Sequence, residues 1–247
     1  MLDTAINQAT GLQGLAAHAT PRLMAVASHG QQQGDLPVLW GLCDSLTEQG
    51  LSVVVLDGHA CESYENPGLN QLLDDPTGRI GDDTGASSWA VVPARTGFER
   101  LHACGLSADN VGCLLQNYSV VLIYADATTL AQLVKDTGLS PLLVVTPQKS
   151  STLTAYKALK QLLLDAHLRP TVANIAIDSN AATSMPSLTP FQYLQDCAET
   201  FLGYSFRPIT ITATSRAGES RTDINRLALQ LLENAIVLER HVIKRMH

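Results

Sequence analysis

Seven short runs of β-branched and other apolar residues alternate along the chain with segments of helical period. Several runs are apolar on both alternating faces, which is typical of parallel strands covered by helices on both sides. The alternation predicts a doubly wound α/β domain, with a mostly parallel sheet of about seven strands and helices on both faces. The predicted strands are residues 23–28, 51–57, 90–93, 118–124, 141–146, 171–177 and 208–212.

Helical spacing of apolar residues predicts the connections between these strands. Pro37 suits the first turn of a helix and Gly50 suits a helix stop. The polar stretch 74–88 is predicted to be a surface loop inside the domain. The predicted helices are residues 37–49, 107–116, 128–135, 151–166, 189–201 and 222–245.

A separate segment precedes the first strand. Ile6, Ala9, Leu12 and Leu15 lie at helical spacing within residues 2–17. We therefore divide the chain into an N-terminal helix in residues 1–20 and an α/β domain over residues 21–247.

The composition of the chain restricts the cellular location and the classes of binding partner that we expect. Sixteen Lys and Arg against 23 Asp and Glu give a net charge of −7, which disfavours binding to nucleic acid. The first residues lack the pattern of a secretory signal, and no apolar run is long enough to span a membrane, so a cytoplasmic protein is expected. Five well-separated cysteines without a Cys-x-x-Cys pair predict reduced, mostly buried thiols and no metal site: Cys43, Cys61, Cys104, Cys113 and Cys197.

The loop after the first predicted strand reads SHGQQQGDLP over residues 28–37 and lies where nucleotide-binding α/β proteins place a phosphate cradle. The P-loop pattern needs two glycines five residues apart, then Lys, then Ser or Thr. Gly34 fits the second glycine, but His29 takes the first place, Asp35 replaces the Lys and Leu36 replaces the hydroxyl. A carboxylate about 4 Å from phosphate would cost several kcal/mol in a partly buried site. No ATP or Mg²⁺ cofactor is therefore expected in the usual mode.

Several segments carry a resemblance to the MinD/ParA-type P-loop ATPases over residues 23–245. LSVVVLD (51–57) is similar to the family's second strand, which ends in a catalytic-site Asp, here Asp57. NPGLNQLL (66–73) resembles the family's NPGL segment, and LLVVTPQKSSTLTAYKALK (142–160) resembles its strand and helix with TP and TxAYxxxK. The resemblance implies a P-loop NTPase fold, with Asn174 in the place of the residue that reads the adenine edge.

According to the same resemblance, this chain departs from the family's sequence pattern at the residues that bind phosphate and magnesium. It aligns the signature Lys with Gly30, the P-loop Lys with Asp35, the magnesium-binding hydroxyl with Leu36 and the Walker B acid with Tyr124. Residues 1–134 contain no lysine, so no shift in register restores one. These losses predict a pseudo-ATPase with no catalytic residue in its own domain. The alternative is an active ATPase with an unusual loop, in which Asp126 holds Mg²⁺.

Residues 7–13 (NQATGLQ) resemble the DQAxxLR motif that precedes the ATPase domain in the FlhG (FleN) branch, the MinD-like regulators of flagellar number and placement. The resemblance implies a helix that activates the partner GTPase FlhF, with Gln8 in the activating role. Asn7 and Gln13 replace the charged ends of the motif. The residues that would contact the partner are Gln8, Ala9, Gly11 and Leu12.

The expected function is therefore regulation of flagellar assembly through an FlhF-like GTPase and through flagellar basal-body or regulatory proteins. The other alternative is a MinD-like accessory protein of another secretion or polarity system, such as cellulose export. The last predicted helix either packs on the core or touches the inner membrane or cell pole through cations beside an apolar face. Its residues are Leu231, Leu238, Val242, Lys244 and Arg245.

Two histidines, His29 and His59, are expected beside the phosphate position. Ser28, Asp57 and His59 carry residue types used by hydrolases, but the chain has no Gly-x-Ser-x-Gly elbow. Hydrolase chemistry is therefore not predicted.

Overall fold

The computed structural model describes residues 20–30, 34–75, 89–105, 111–112, 114–177, 189–213 and 217–238. These residues form eight strands and seven helices. In chain order they are β1 (Arg22–Ser28), α1 (Asp35–Glu48), β2 (Val53–Asp57), α2 (Leu69–Asp74), β3 (Trp89–Pro93), α3 (Arg95–Ala103), β4 (Val120–Asp126), α4 (Ala127–Leu133), β5 (Leu142–Val145), α5 (Lys149–Leu164), β6 (Thr171–Ile177), α6 (Pro190–Leu202), β7 (Ile209–Ala213), α7 (Ala217–Glu233) and β8 (Ile236–Val237).

All eight described strands belong to one sheet. Its strand order is β3-β2-β4-β1-β5-β6-β7, and every pair along this path is parallel. The short β8, which the sequence did not predict, pairs antiparallel with the start of β1. The predicted fold class and all seven predicted strands are confirmed.

Helices cover both faces of the sheet. One apolar cluster packs between the sheet and α2 to α6, and a second packs between the sheet and the helices α1 and α7. Strands β1, β2 and β4 are buried along nearly their whole length because both faces are covered. Burial on both faces is the physical reason why these three strands read as continuous apolar runs in the sequence.

Among the described residues between β2 and β4, one predicted helix is absent and two unpredicted helices are present. The helix predicted at 107–116 is wrong for the described part, because residues 111–112 and 114–117 form turns there. Val111 and Leu115 lie in these turns and are both buried, and their separation of four residues is the spacing that also predicts a helix. The helices α2 and α3 were not predicted.

The last predicted helix, 222–245, is wrong for residues 234–238, and residues 239–245 lie outside the described part of the chain. The chain turns after α7 and forms β8, and the Leu238 N–H then donates to the Pro21 carbonyl oxygen over 2.9 Å. Leu231 is buried in α7 and Leu238 is fully buried after β8, so these two pack on the core. Val242, Lys244 and Arg245 lie outside the described residues.

The predicted N-terminal helix, with Gln8, Ala9, Gly11 and Leu12, also lies outside the described residues, as does most of the loop 74–88. No described helix is both long enough and apolar enough to cross a membrane. Cys43 is buried, but Cys61 and Cys104 are exposed because they follow strand and helix ends, so the prediction of mostly buried thiols is wrong for these two.

Candidate functional site

The carboxyl ends of β1, β2 and β4 meet at one edge of the sheet, where the loop after β1 leads into α1. Val26 of β1 lies in register with Tyr124 of β4, and Tyr124 lies in register with Asp57 of β2. Open α/β sheets bind ligands at this edge. The structure therefore brings Asp57 and Tyr124 together at this edge.

Tyr124 and Asp35 form a direct hydrogen bond at the start of α1. Tyr124 is 2% exposed and lies on the sheet face that α1 covers. Its hydroxyl donates to Oδ2 of Asp35, the first residue of α1, across 3.2 Å, and Asp35 itself is 4% exposed. Burial, and then the negative charge of Asp35, raises the pKa of Tyr124 above its usual value. The phenol therefore stays protonated and able to donate.

His59 occupies the space beside this pair. Its Nε2 lies 2.6 Å from Oγ of Ser28, and its ring meets the ring of Tyr124 edge-on with centroids 5.1 Å apart. The backbone N–H of His59 donates to Oδ1 of Asp57 over 2.9 Å. Ser28 is only 4% exposed, and a nucleophile must reach its substrate. The Ser28–His59 contact is therefore a packed polar contact, and its geometry does not support hydrolase chemistry.

His29 fastens the loop after β1 to β5 and α5. Its Nε2 lies 2.5 Å from the carbonyl oxygen of Val144, and this nitrogen must donate because a carbonyl only accepts. Its Nδ1 lies 2.9 Å from Oγ1 of Thr154. Both ring nitrogens are thus held by groups of the protein, so the imidazole lies against the wall of the site.

A cavity of about 350 Å³ lies between this loop and the start of α5. Its volume is within the range of small-molecule sites. Among the described residues that line it, Asp35 is the only carboxylate, and none carries an ammonium or guanidinium group. The lining residues are His29, Gly30, Gly34, Asp35, Val144, Thr146, Gln148, Ser150, Ser151 and Thr154.

Two glycines of the loop are required by close packing. A Cβ added to Gly34 would lie 2.0 Å from Cγ2 of Thr146. Gly30 has a positive φ of 67°, and an added Cβ would lie 3.2 Å from Oγ1 of Thr154. The structure therefore explains both glycines without a bound phosphate.

The remaining predicted residues lie outside the cavity. Leu36 packs against the apolar cluster under α1, and Asn174 lies half-buried on β6 in register with Val145. Asp126 accepts the backbone N–H of Thr129 over 2.8 Å and caps α4. This carboxylate, the alternative magnesium ligand, is thus already used by a helix N-terminus.

Glu62 is a residue that the sequence did not single out. Its Oε1 accepts the N–H groups of Asn70 and Gly97 over 3.3 and 2.7 Å, and its Oε2 accepts the N–H of Thr96 over 2.7 Å. One carboxylate therefore caps the first turns of both α2 and α3. The partners lie 8 to 35 residues along the chain, so no local motif signals the contact.

The charges at this edge disfavour an anion. The N-terminus of a helix attracts negative charge, and at α1 the carboxylate of Asp35 already lies in that first turn. Within the described part of the chain, no group of three or more His, Cys, Asp or Glu could hold a metal ion. The arrangement can position a phenol and a carboxylate, but none of the described side chains that line the cavity offers a cation to a phosphate.

Comparison with known proteins shows the fold. No protein-family model matches the sequence, and no curated protein matches it. Among solved structures, the MinC:MinD cell division protein complex of Aquifex aeolicus matches with a TM-score of 0.54 at 17% identity, covering 89% of this chain and 98% of that one. MinD of Aquifex aeolicus matches with a TM-score of 0.52 at 16% identity, covering 88% and 99%.

A third neighbour is an McdA variant from Cyanothece in complex with ATP. It matches with a TM-score of 0.55 at 14% identity, covering 87% of this chain and 96% of that one. Identities this low are informative about fold alone. The chain therefore has the fold of MinD/ParA-type P-loop ATPases.

Proposed function

We propose that the protein is a MinD/ParA-type regulatory protein that has lost ATP binding and hydrolysis and acts through contacts with other proteins. The observation that carries the loss is the hydrogen bond between Tyr124 and Asp35. The sequence resemblance puts these two residues in the places of the Walker B acid and the P-loop lysine. Their side chains bind each other where the family binds magnesium and phosphate.

Electrostatics supports this proposal. A buried carboxylate at the start of α1 repels the phosphate that a lysine would attract, and the difference is several kcal/mol at about 4 Å in a partly buried site. The Tyr124 phenol has no negative charge to offer Mg²⁺, because its raised pKa keeps it neutral. Both halves of the usual Mg²⁺–ATP contact are thus lost together.

The partner is proposed from the sequence at residues 7–13. Its likeness to the FlhG (FleN) motif supports an N-terminal helix that activates an FlhF-like GTPase. In this role Gln8 orients the attacking water or bridges to phosphate, since a neutral amide does this in GTP hydrolysis without adding charge. The α/β body then supplies surfaces for flagellar basal-body or regulatory proteins.

A GTPase assay tests the partner role. Purified FlhF is assayed alone, with the intact chain, and with the Gln8→Ala and Gln132→Ala variants. Gln132 is an exposed glutamine of α4 and serves as the matched control. We expect stimulation by the intact chain and by Gln132→Ala, and loss of stimulation with Gln8→Ala.

Absence of stimulation by the intact chain would reject the flagellar role. It would favour an accessory protein of another secretion or polarity system, such as cellulose export. Stimulation that survives Gln8→Ala would reject the N-terminal segment as the activating element.

A further inference from the structure

The only two tryptophans of the sequence lie on the same side of the sheet, Trp40 in α1 and Trp89 in β3. Trp40 of α1 is 50% exposed, and Asp44, one turn later on the same side of α1, accepts the indole N–H of Trp89 over 2.9 Å. Val91 lies two residues after Trp89 on the same face of β3 and is also 50% exposed. Trp40, Trp89 and Val91 are called the tryptophan strip below.

The strip lies at the edge strand β3, which the described helices leave partly exposed. On this face the described helices are α1 and α7, which pack against each other with Gly41 facing Ile224. Away from α7, this face ends at the edge strand β3, where Trp89 is half-buried and Val91 is half-exposed, whereas the neighbouring β2 is buried. Half-exposed apolar side chains on one side of a sheet, here Trp40 and Val91, are the kind of surface that marks an interaction site.

We propose that the tryptophan strip is the docking surface for the chain's own N-terminal segment, residues 2–17. This segment carries Ile6, Ala9, Leu12 and Leu15 at helical spacing and therefore has an apolar face that needs a partner. The segment 76–88, which leads into β3, is mostly polar and offers no such face.

The segment is long enough to reach the strip. Nineteen residues precede Thr20, and the chain then enters β1 at the amino end of the sheet, the end at which α1 also finishes. The strands β1 and β3 are separated by three strand spacings, about 14 Å. A sixteen-residue helix is about 24 Å long, so it can cross this distance and lie along the strip.

The C-terminal residues fit the strip less well. They continue from Leu238, which is bonded to Pro21 beside β1, and number only nine. Six of these nine residues are charged or histidine. A polar segment of this kind has little apolar surface to bury against tryptophan.

Docking has a regulatory consequence that rests on the proposed function. Leu12 would contact either the strip or the partner GTPase, so the two contacts exclude each other. The docking itself needs no GTPase, and a test on the isolated protein is therefore independent of the partner assay.

Tryptophan fluorescence measures the docking directly, because both tryptophans belong to the strip. The full chain is compared with Leu12→Asp, which introduces a charge into the apolar face. Asn7→Asp introduces the same charge on the opposite side of the predicted helix and is the matched control. Emission maxima and acrylamide quenching constants are recorded at several protein concentrations, and circular dichroism verifies the fold.

We expect Leu12→Asp to shift the emission to longer wavelength and to raise the quenching constant, while Asn7→Asp matches the natural chain. The change should persist in a Trp40→Ala background, where Trp89 is the sole reporter. Equal quenching for Leu12→Asp and the natural chain would overturn the proposal. So would a rise in quenching from Val242→Asp, which would assign the strip to the C-terminal residues, or quenching that depends on protein concentration, which would assign it to a second copy.

Discussion

The phenol of Tyr124 and the carboxylate of Asp35 are joined by a hydrogen bond of 3.2 Å, although 89 residues separate them in the chain. Both side chains are almost completely buried. A buried donor or acceptor without a partner costs free energy, so each residue makes the other tolerable inside the protein. The two departures from the ATPase pattern are therefore one coupled feature of the structure.

A double-mutant cycle measures this coupling. Tyr124→Phe should lower the free energy of unfolding by about 1 to 3 kcal/mol, because it leaves the Asp35 carboxylate buried without its donor. In an Asp35→Ala background the same change should cost much less, since no carboxylate remains to be satisfied. Urea denaturation measures all four chains. Additive effects of the two substitutions would contradict the coupling.

Stability at alkaline pH depends on the raised pKa of Tyr124. The unfolded phenol loses its proton near pH 10 while the folded phenol keeps it, so the stabilising contribution is complete below pH 10 and is lost as the pH rises above it. Between pH 10 and 11 the natural chain should lose about 1 kcal/mol that Tyr124→Phe does not lose. Tyr64→Phe, at a fully exposed tyrosine, is the control and should leave the slope unchanged. Equal slopes for all three chains would refute the assignment.

The close packing of Gly34 against Thr146 predicts that a substitution at Thr146 restores stability lost by a substitution at Gly34. Gly34→Ala should destabilise the protein by about 1 to 3 kcal/mol, because the new methyl group would overlap Cγ2 of Thr146 at 2.0 Å. Thr146→Ser removes that methyl group, and the next nearest atom, Cβ of Thr146, lies at 3.5 Å. The double variant should therefore recover most of the loss in thermal unfolding. If Thr146→Ser brings no recovery, the overlap is not the cause.

The hydrogen bonds of Glu62 to the starts of α2 and α3 predict that its removal destabilises the protein. Glu62→Ala should lower the free energy of unfolding by about 2 to 4 kcal/mol, since three backbone N–H groups lose a charged acceptor. Glu65→Ala removes an exposed carboxylate from the same loop and should change little. Chemical denaturation of the two variants compares them, and equal effects would argue against the capping role.

The strands could be predicted from the sequence because β-branched runs such as 53–57 remain apolar on both faces wherever helices cover the sheet. The helix α2 was missed because six residues after Gly68 are too short for a periodic signal. The helix predicted over residues 234–238 was wrong because Leu231 and Leu238, seven residues apart, keep a helical spacing although Ile236 pairs with Leu23 of β1. The local spacing of apolar residues cannot distinguish a helix that continues from a turn that leads into a strand.

The site could be predicted in part. The sequence singled out Asp35 and Tyr124 as separate departures, and the parallel register brings them to one edge. Their contact could not be predicted, because it depends on the register of β4 beside β1 and on the position of α1 above both. The contacts of His29 with Val144 and Thr154, and those of Glu62, likewise join distant parts of the chain.

Equilibrium dialysis of the intact chain against labelled ATP with Mg²⁺ is the most direct measurement of the central claim. The Tyr124–Asp35 pair occupies the places of the phosphate and magnesium ligands, so we expect no retained ATP at micromolar concentrations and no phosphate release. Micromolar affinity for Mg²⁺–ATP together with turnover would contradict the account.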